Sequence, residues 1–252
     1  MEVKLVARTL DVFELFSKEV KPLSLTDISR GLDVPMSSTL ALVRTLVSRG
    51  YLYETRKRGG YFPTRKMLLT CRSIDAADQV FELVHPFLEE LRDASQETAV
   101  LGKHQNGKVV YLDVVLSHRP IRYYAVVGET RSLHMNSIGK AIFPMLDDKD
   151  QKAALGKMDG HLPTTPHTIT TRDAFLEDME RSKARGWASN VGESVEDLAA
   201  IAAPFLLASD WYGISIVGPR ERIERDWDTH AATLAETTAK LRRAIAVHEG
   251  RQ

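Results

Sequence analysis

Apolar residues recur at steps of three and four at the start of the chain, which predicts an amphipathic first helix. They are Val3, Val6, Leu10, Phe13 and Phe16. A short second helix is predicted after Ser24, because this serine can cap it and Asp27 stands three residues on as a capping-box partner. A third helix is expected to begin at about Pro35, to run to about Arg49 and to end at Gly50 in left-handed geometry.

A basic hairpin is predicted directly after the third helix. Residues 51–53 and 61–62 favour two short strands, and the turn between them carries Arg56, Lys57 and Arg58. Adjacent cations at a hairpin tip suit contact with DNA phosphates or the minor groove. Two helices joined by a turn occur in many small domains, but helix, helix, turn, helix and basic hairpin in this order indicate a winged helix-turn-helix.

The outward face of the third helix carries short polar groups that fit a major groove, and Arg44 is the best candidate for reading a base. For each of these residues an ordinary solvated helix face is the alternative interpretation. The expected DNA-contacting residues are Ser24, Thr26, Pro35, Ser37, Ser38, Thr39, Arg44, Thr45, Arg56, Lys57 and Arg58.

The rest of the chain predicts an α+β domain. A connecting helix is expected over residues 64–79, followed by a helix over 80–95 that Pro86 should interrupt or kink. Strands are predicted at 98–103, 109–116, 122–127, 187–191, 198–205 and 212–217, with an Asn106-Gly107 hairpin turn, and helices at 137–146, 172–186 and 223–248. Because the strands come in blocks, we expect an antiparallel sheet with helices packed on its faces.

Composition and charge support two domains with different tasks. The chain has 252 residues, of which 43% are hydrophobic and 27% charged, as in globular proteins of more than one domain. Its net charge of zero divides into +6 over residues 1–72 and −6 over the remainder, so the first part suits a polyanion. No apolar run approaches the roughly 18 residues that span a bilayer and no secretion signal precedes the first helix, so we expect a cytoplasmic protein.

Short motifs in both parts resemble the IclR family of transcription factors. They are Leu25-Thr26-Asp27-Ile28, Ser37-Ser38-Thr39, Leu42-Val43-Arg44-Thr45-Leu46, Arg49-Gly50-Tyr51-Leu52, the run 133–141, Arg185-Gly186-Trp187 with Glu193, Ile201-Ala202-Ala203-Pro204 and Ser215-Ile216-Val217-Gly218-Pro219. The resemblance covers nearly the whole chain and implies a winged helix-turn-helix followed by a GAF-like effector domain. This chain has Leu40-Ala41 where the family often carries a polar pair, so base contacts are expected to shift to Ser37, Ser38 and Arg44.

The resemblance also implies an effector pocket. Its expected residues are Ser137, Ile138, Gly139, Asn190, Ala200, Ser215 and Val217. Amides at the start of the helix near residue 137 attract anions when they are unpaired, which favours a small organic acid, with an aromatic acid as one option. The structural alternatives are that Ser215 only satisfies a strand, that Gly139 only permits close packing and that Lys140 is solvated.

These expectations define residues 1–63 as the DNA-binding domain, 64–79 as the connector and 80–252 as the effector domain. The expected partners are a double-stranded operator, the organic acid and further copies of the chain as a homodimer or homotetramer, because two half-sites need two recognition helices. No cofactor, metal or membrane is expected, since His161 and His167 have no obvious third ligand. No catalytic motif is present, but an enzyme or a protein-binding adaptor stays open as an alternative.

Overall fold

The chain forms two compact units in a computed structural model that describes residues 3–55, 60–75, 79–158 and 160–250. The units are Met1–Asp78 and Gln79–Gln252. The first therefore includes most of the segment that the sequence suggested as a separate connector. No helix within the described ranges is long and apolar enough to cross a bilayer.

The first unit packs helices against a small sheet. Its elements are α1 (Lys4–Glu19), β1 (Leu23–Ser24), α2 (Leu25–Leu32), α3 (Met36–Ser48), β2 (Leu52–Thr55), β3 (Gly60–Pro63) and α4 (Lys66–Asp75). The three strands are antiparallel in the order β1-β3-β2, and β1 was not predicted. The buried core of this unit is built from Val12, Phe16, Leu23, Ile28, Leu42, Val43, Leu46 and Leu52.

Local sequence signals position the helix-turn-helix. The Ser24 side chain accepts a hydrogen bond from the Asp27 amide, and the Asp27 carboxylate accepts one from the Ser24 amide, which confirms the predicted capping box. Asp33 ends α2 with a φ of 50°, and Gly50 adopts a φ of 74° just after α3. The turn and the end of the third helix therefore lie where Pro35 and Gly50 predicted them.

The second unit is a six-stranded antiparallel sheet covered on both faces, as predicted. Its elements are α5 (Gln79–Ser95), β4 (Thr98–Gln105), β5 (Lys108–Val115), β6 (Thr130–Ser132), α6 (Ser137–Ile142), α7 (Asp148–Met158), α8 (Arg172–Arg185), β7 (Ala188–Val191), β8 (Leu198–Leu207), β9 (Asp210–Pro219), α9 (Arg220–Arg225) and α10 (Trp227–His248). The strand order is β6-β5-β4-β9-β8-β7. Helices α5 and α10 cover one face, and α6 covers the other.

A bulge in β5 places Tyr111 and Asp113 on opposite faces of this sheet, although residues two apart in a regular strand face the same side. Leu101 pairs with Asp113 while Gly102 pairs with Tyr111, so Leu112 is an extra residue in the strand. Tyr111 consequently joins the cluster beneath α6, whereas Asp113 reaches His85 of α5, with 2.7 Å between Asp113 Oδ2 and His85 Nδ1.

Three predictions about this unit are wrong. Residues 122–127 form no strand, because the free edge of β5 pairs with Thr130–Ser132 and the Thr98 hydroxyl binds the Tyr123 carbonyl instead. Pro86 does not interrupt α5. Because proline has no amide hydrogen, the Glu82 carbonyl lacks its usual helical partner, but both residues are exposed and water can bind this carbonyl instead. The last helix is two helices, because the backbone leaves helical geometry at Asp226.

Gly139 permits a close approach between α6 and the preceding chain, as its alternative interpretation proposed. A Cβ atom at this position would lie 2.3 Å from the Leu133 carbonyl oxygen and 2.8 Å from the Leu133 Cα. Both are backbone atoms that cannot move aside cheaply, so only glycine fits between them.

We therefore expect Gly139→Ala to lower the free energy of unfolding by about 1–3 kcal/mol, because the helix must shift to relieve the overlap. Gly156→Ala in α7 is the matched control: a Cβ there meets nothing within 4 Å, and the change should raise stability by roughly 0.5–1 kcal/mol. Urea unfolding of both variants checks this, and equal stability of the two would contradict the packing argument.

Candidate functional site

The exposed face of α3 is the candidate DNA-contacting surface of the first unit. Ser37, Ser38, Ala41, Arg44 and Ser48 are exposed. Leu42, Val43 and Leu46 on the opposite side are buried in the core of the unit. The predicted orientation of the helix is thus confirmed, and Arg44 projects from the middle of its polar face.

Some predicted DNA contacts have other roles. Thr39 is fully buried, and its hydroxyl donates to the Pro35 carbonyl at 3.1 Å, so its prediction as a contact is wrong. The Ser24 hydroxyl donates to Asp27 Oδ2 at 2.6 Å within the cap. Thr26 and Pro35 are exposed, as is Thr45, and the cations Arg56, Lys57 and Arg58 lie outside the described residues.

The first unit also exposes an apolar surface on α1 and α4. Its large exposed side chains are Val3, Leu5, Val6, Leu10, Leu68, Leu69 and Ile74. An open groove of about 640 Å³, counted with the solvent at its mouth, lies next to these helices. It is lined by Thr9, Phe13, Leu42, Thr45, Leu46, Arg49, Tyr51 and Met67. An apolar surface of this kind on a globular protein marks a contact site.

A small cavity lies on the α6 face of the sheet in the second unit. Its volume is about 310 Å³ when the solvent at its open mouth is counted. It is lined by Tyr111, Tyr123, Arg131, Asn136, Ser137, Asn190, Ser194, Leu198, Ala200, Ser215 and Val217. The structure therefore brings together five of the seven predicted effector residues and adds six that the sequence did not suggest.

Ile138 and Gly139 do not line this cavity. Ile138 is buried against the sheet, where its side chain packs over Gly102 and Gly213. The idea of unpaired amides at the start of α6 is also wrong, because the Asn136 side-chain oxygen accepts hydrogen bonds from the Ile138 and Gly139 amides at 3.0 and 3.2 Å. An anion would have to compete with this cap, and the preference of Asn for N-cap positions was the signal that could have revealed it.

Two side-chain amides organise the cavity wall. Asn136 Nδ2 donates to the Tyr111 hydroxyl at 2.9 Å. Asn190 Nδ2 donates to the Ser194 hydroxyl at 3.1 Å, and its oxygen accepts from the Glu193 amide at 3.0 Å. Asn190 therefore holds the β7–β8 loop (residues 192–197) in place, while the hydroxyls of Ser137 and Ser215 bond to no group among the residues that the structure describes.

Arg131 is a charged side chain in the cavity lining. It pairs with Val109 across β5 and β6, so both residues face α6. Its Nη2 atom lies 2.5 Å from the Glu129 carboxylate and 3.4 Å from the Tyr123 hydroxyl. Burial, together with the neighbouring Tyr123, raises the pKa of Tyr111 far above its ordinary value, so the Tyr111 hydroxyl keeps its proton.

The expectation that Lys140 is solvated is wrong. Its side chain is fully buried and pairs with Asp178 of α8 at 3.0 Å and with Glu193 of the β7–β8 loop. Burial raises the pKa of Glu193, and its Oε2 atom has no hydrogen-bond partner among the residues that the structure describes. The Thr168 hydroxyl also donates to the Glu193 carbonyl at 2.7 Å, so the loop beside the cavity is fastened on two sides.

The two histidines considered as metal ligands, His161 and His167, have protein partners. His167 Nε2 lies 3.0 Å from Arg220 Nη1, and the His161 ring packs edge-on against His134. No group of three or more metal-ligating side chains that could hold a metal ion is found within the described part of the chain.

Comparison with known proteins matches both units. A family model described as "IclR helix-turn-helix domain" matches residues 5–56, and one described as "Bacterial transcriptional regulator IclR C-terminal" matches residues 72–243. The HTH-type transcriptional regulator BhcR of Paracoccus denitrificans (strain Pd 1222) is 27% identical over 246 residues, which cover 97% of this chain and 86% of that protein. The matched families are regulators and not enzymes.

Two crystal structures confirm the predicted fold class. The Thermotoga maritima IclR superimposes with a TM-score of 0.74 at 20% identity, covering 96% of this chain and 100% of that one. An IclR homolog from Microbacterium hydrocarbonoxydans, complexed with 4-hydroxybenzoate, superimposes with a TM-score of 0.76 at 18% identity, covering 96% and 99%.

His134, two residues before Asn136, should make stability depend on pH. Burial, His161 and Lys140 lower the pKa of His134 from 6.5 to about 4. As pH falls below 6.5 the unfolded chain binds this proton and the folded chain does not, so stability is lost between those two values. From pH 7 to pH 5 we expect His134 to contribute a loss of about 2 kcal/mol.

Urea unfolding at the two pH values measures this loss. His134→Gln should reduce it, while His118→Gln should not, because the side chain of His118 is 70% exposed. The same pH dependence in wild type and His134→Gln would show that His134 is not the titrating group.

Proposed function

Because the chain belongs to the IclR family of bacterial transcriptional regulators, we propose that it binds a specific double-stranded operator and that a small organic acid controls this binding. The first unit is the DNA-binding domain and the second is the effector domain. The observation that carries the proposal is the exposed polar face of α3, with Arg44 at its centre, in the unit that the helix-turn-helix family model matches.

Charge and shape support the DNA-binding part. Residues 1–72 carry a net charge of +6, which favours phosphate contacts by counterion release. The small side chains of Ser37, Ser38 and Ala41 let α3 approach the floor of a major groove, and Arg44 can donate two hydrogen bonds to a guanine. The cations Arg56, Lys57 and Arg58 are proposed to contact the backbone or the minor groove.

The cavity on the α6 face supports the effector part. It combines hydroxyls, side-chain amides and one cation with apolar walls, a composition suited to a small polar ligand. The regulator from Microbacterium hydrocarbonoxydans carries 4-hydroxybenzoate in its crystal structure, which favours an organic acid here, with an aromatic acid as one option.

We also propose that the regulator works as a homodimer, or as a homotetramer built from two dimers. An operator with two half-sites needs two copies of α3. The exposed apolar side chains of α1 and α4, among them Val6, Leu10 and Leu69, offer each copy a surface that the other can bury. The surface belongs to the same unit as α3, so its burial would fix the spacing of the two recognition helices.

Arg44→Ala should weaken operator binding by about 1–3 kcal/mol while leaving non-specific DNA affinity almost unchanged, because a base contact is lost. Arg72→Ala, which removes an exposed cation from α4, is the control. The operator is first selected from genomic fragments in competition with non-specific DNA, and affinities are then measured by fluorescence anisotropy. Equal losses on both kinds of DNA would remove Arg44 from base recognition.

Neutralising Arg56, Lys57 and Arg58 together should instead weaken binding to every sequence and reduce its salt dependence. An adaptor that uses its winged helix to bind protein would show a DNA affinity that does not respond to this change.

The effector should change operator affinity by a coupling free energy of roughly 1–3 kcal/mol, and operator should change effector affinity equally. A thermal-shift panel of carboxylates that includes 4-hydroxybenzoate selects the acid, and titrations with and without DNA measure both affinities. Stabilisation by neutral or cationic compounds alone would contradict the organic-acid proposal, and two unchanged affinities would contradict the coupling.

A further inference from the structure

The charge of the effector can be inferred from the cavity. Among the lining residues Arg131 is the one with a charged side chain, and the others are hydroxyls, amides and apolar groups. Glu129, which lies outside the lining, pairs with one nitrogen of this guanidinium. A guanidinium carries five N–H donors, and those that remain can form directed, paired hydrogen bonds with a carboxylate.

The Arg131 guanidinium is held in place through one nitrogen, and its other N–H groups stay available as hydrogen-bond donors. Glu129 and the Tyr123 hydroxyl both contact its Nη2 atom, at 2.5 and 3.4 Å. Its Nε and Nη1 atoms donate to no group within the ranges that the structure describes. The side chain is 40% exposed, so it is neither sealed in the protein nor free in solvent.

Tyr111 supplies a second donor on the same wall. Its hydroxyl accepts the hydrogen bond from Asn136, and its own proton can go either to the neighbouring Tyr123 hydroxyl or to a ligand oxygen. Burial raises the pKa of Tyr111, so this proton stays in place at neutral pH and can be donated to an anionic oxygen. The amides at the start of α6 cannot take this role, because Asn136 already binds them.

We propose that Arg131 is the residue that selects the effector's charge: its Nε and Nη1 atoms bind the carboxylate of the small acid, and the Tyr111 hydroxyl donates to the same group. This inference rests on the proposed function, since it concerns the ligand of the same cavity. It makes the site prefer an anion over a neutral ligand of the same shape, and it replaces the start of α6 with a side chain as the group that binds the anion.

Matched ligands that differ only in charge provide the test. Isothermal titration of the full-length protein compares benzoate with benzamide and acetate with acetamide, which have nearly the same shapes. Wild type should bind at least one acid about tenfold or more tighter than its amide, because hydrogen bonds to charged groups have this effect. In Arg131→Gln the two members of a pair should bind within about threefold of each other.

Arg122→Gln is the matched control, because Arg122 is an exposed arginine of the same region that does not line the cavity. It should keep the wild-type preference for the acid. The preference is a ratio within one protein, so a general loss of stability in a variant does not imitate the expected result.

Two different failures can be told apart. If an acid binds wild type and Arg131→Gln keeps the preference for it, the role of Arg131 is wrong while the organic-acid effector stands. If no acid binds wild type better than its amide, the assignment of an acid to this cavity is overturned together with Arg131. Operator binding by Arg131→Gln, measured in parallel, keeps the DNA-binding part of the proposed function separate from both.

Discussion

The buried ammonium of Lys140 is the interaction on which the effector domain depends. A charge without access to water is tolerated only when partners of opposite sign surround it, and Asp178 and Glu193 provide them from α8 and from the β7–β8 loop. Three segments that are distant in sequence must therefore meet around one atom. Because Ser194 follows Glu193 directly, the same interaction places one wall of the cavity.

The cavity next to this charge network is formed where α6 and the sheet do not touch. Ile138 packs on Gly102 and Gly213, so the helix sits close to the sheet at this point. Beyond it, the small residues Ala200 and Ser215 leave a space that the helix does not fill. Two polar groups that face this space, the hydroxyls of Tyr111 and Ser194, are held by Asn136 and Asn190, which positions them before any ligand arrives.

The sequence predicted those features that depend on neighbours in the chain. The Ser24 cap, the Gly50 helix end and the Asn106-Gly107 turn were all placed correctly, because each follows from local backbone chemistry. The burial of Lys140 could not be predicted, since its partners lie 38 and 53 residues away.

Contacts between residues that are distant in sequence also explain the other differences between the predicted and the observed structure. Residues 122–127 have strand-forming composition, but the edge of β5 had another partner. Arg131 became part of the site only through its register opposite Val109, and no local pattern encodes a register between strands joined by a long connection.

Alternate side chains along β8 and β9 point to opposite faces of the sheet, so the cavity and the main core are built from different residues. Ala200, Ser215 and Val217 face the cavity, while their neighbours Ile201, Ile214 and Ile216 face the core beneath α5 and α10. A substitution on one face leaves the packing of the other intact. Ligand preference in this domain can therefore change by single substitutions on the cavity face without loss of the fold, and the fold itself is kept in solved structures at 18–20% identity.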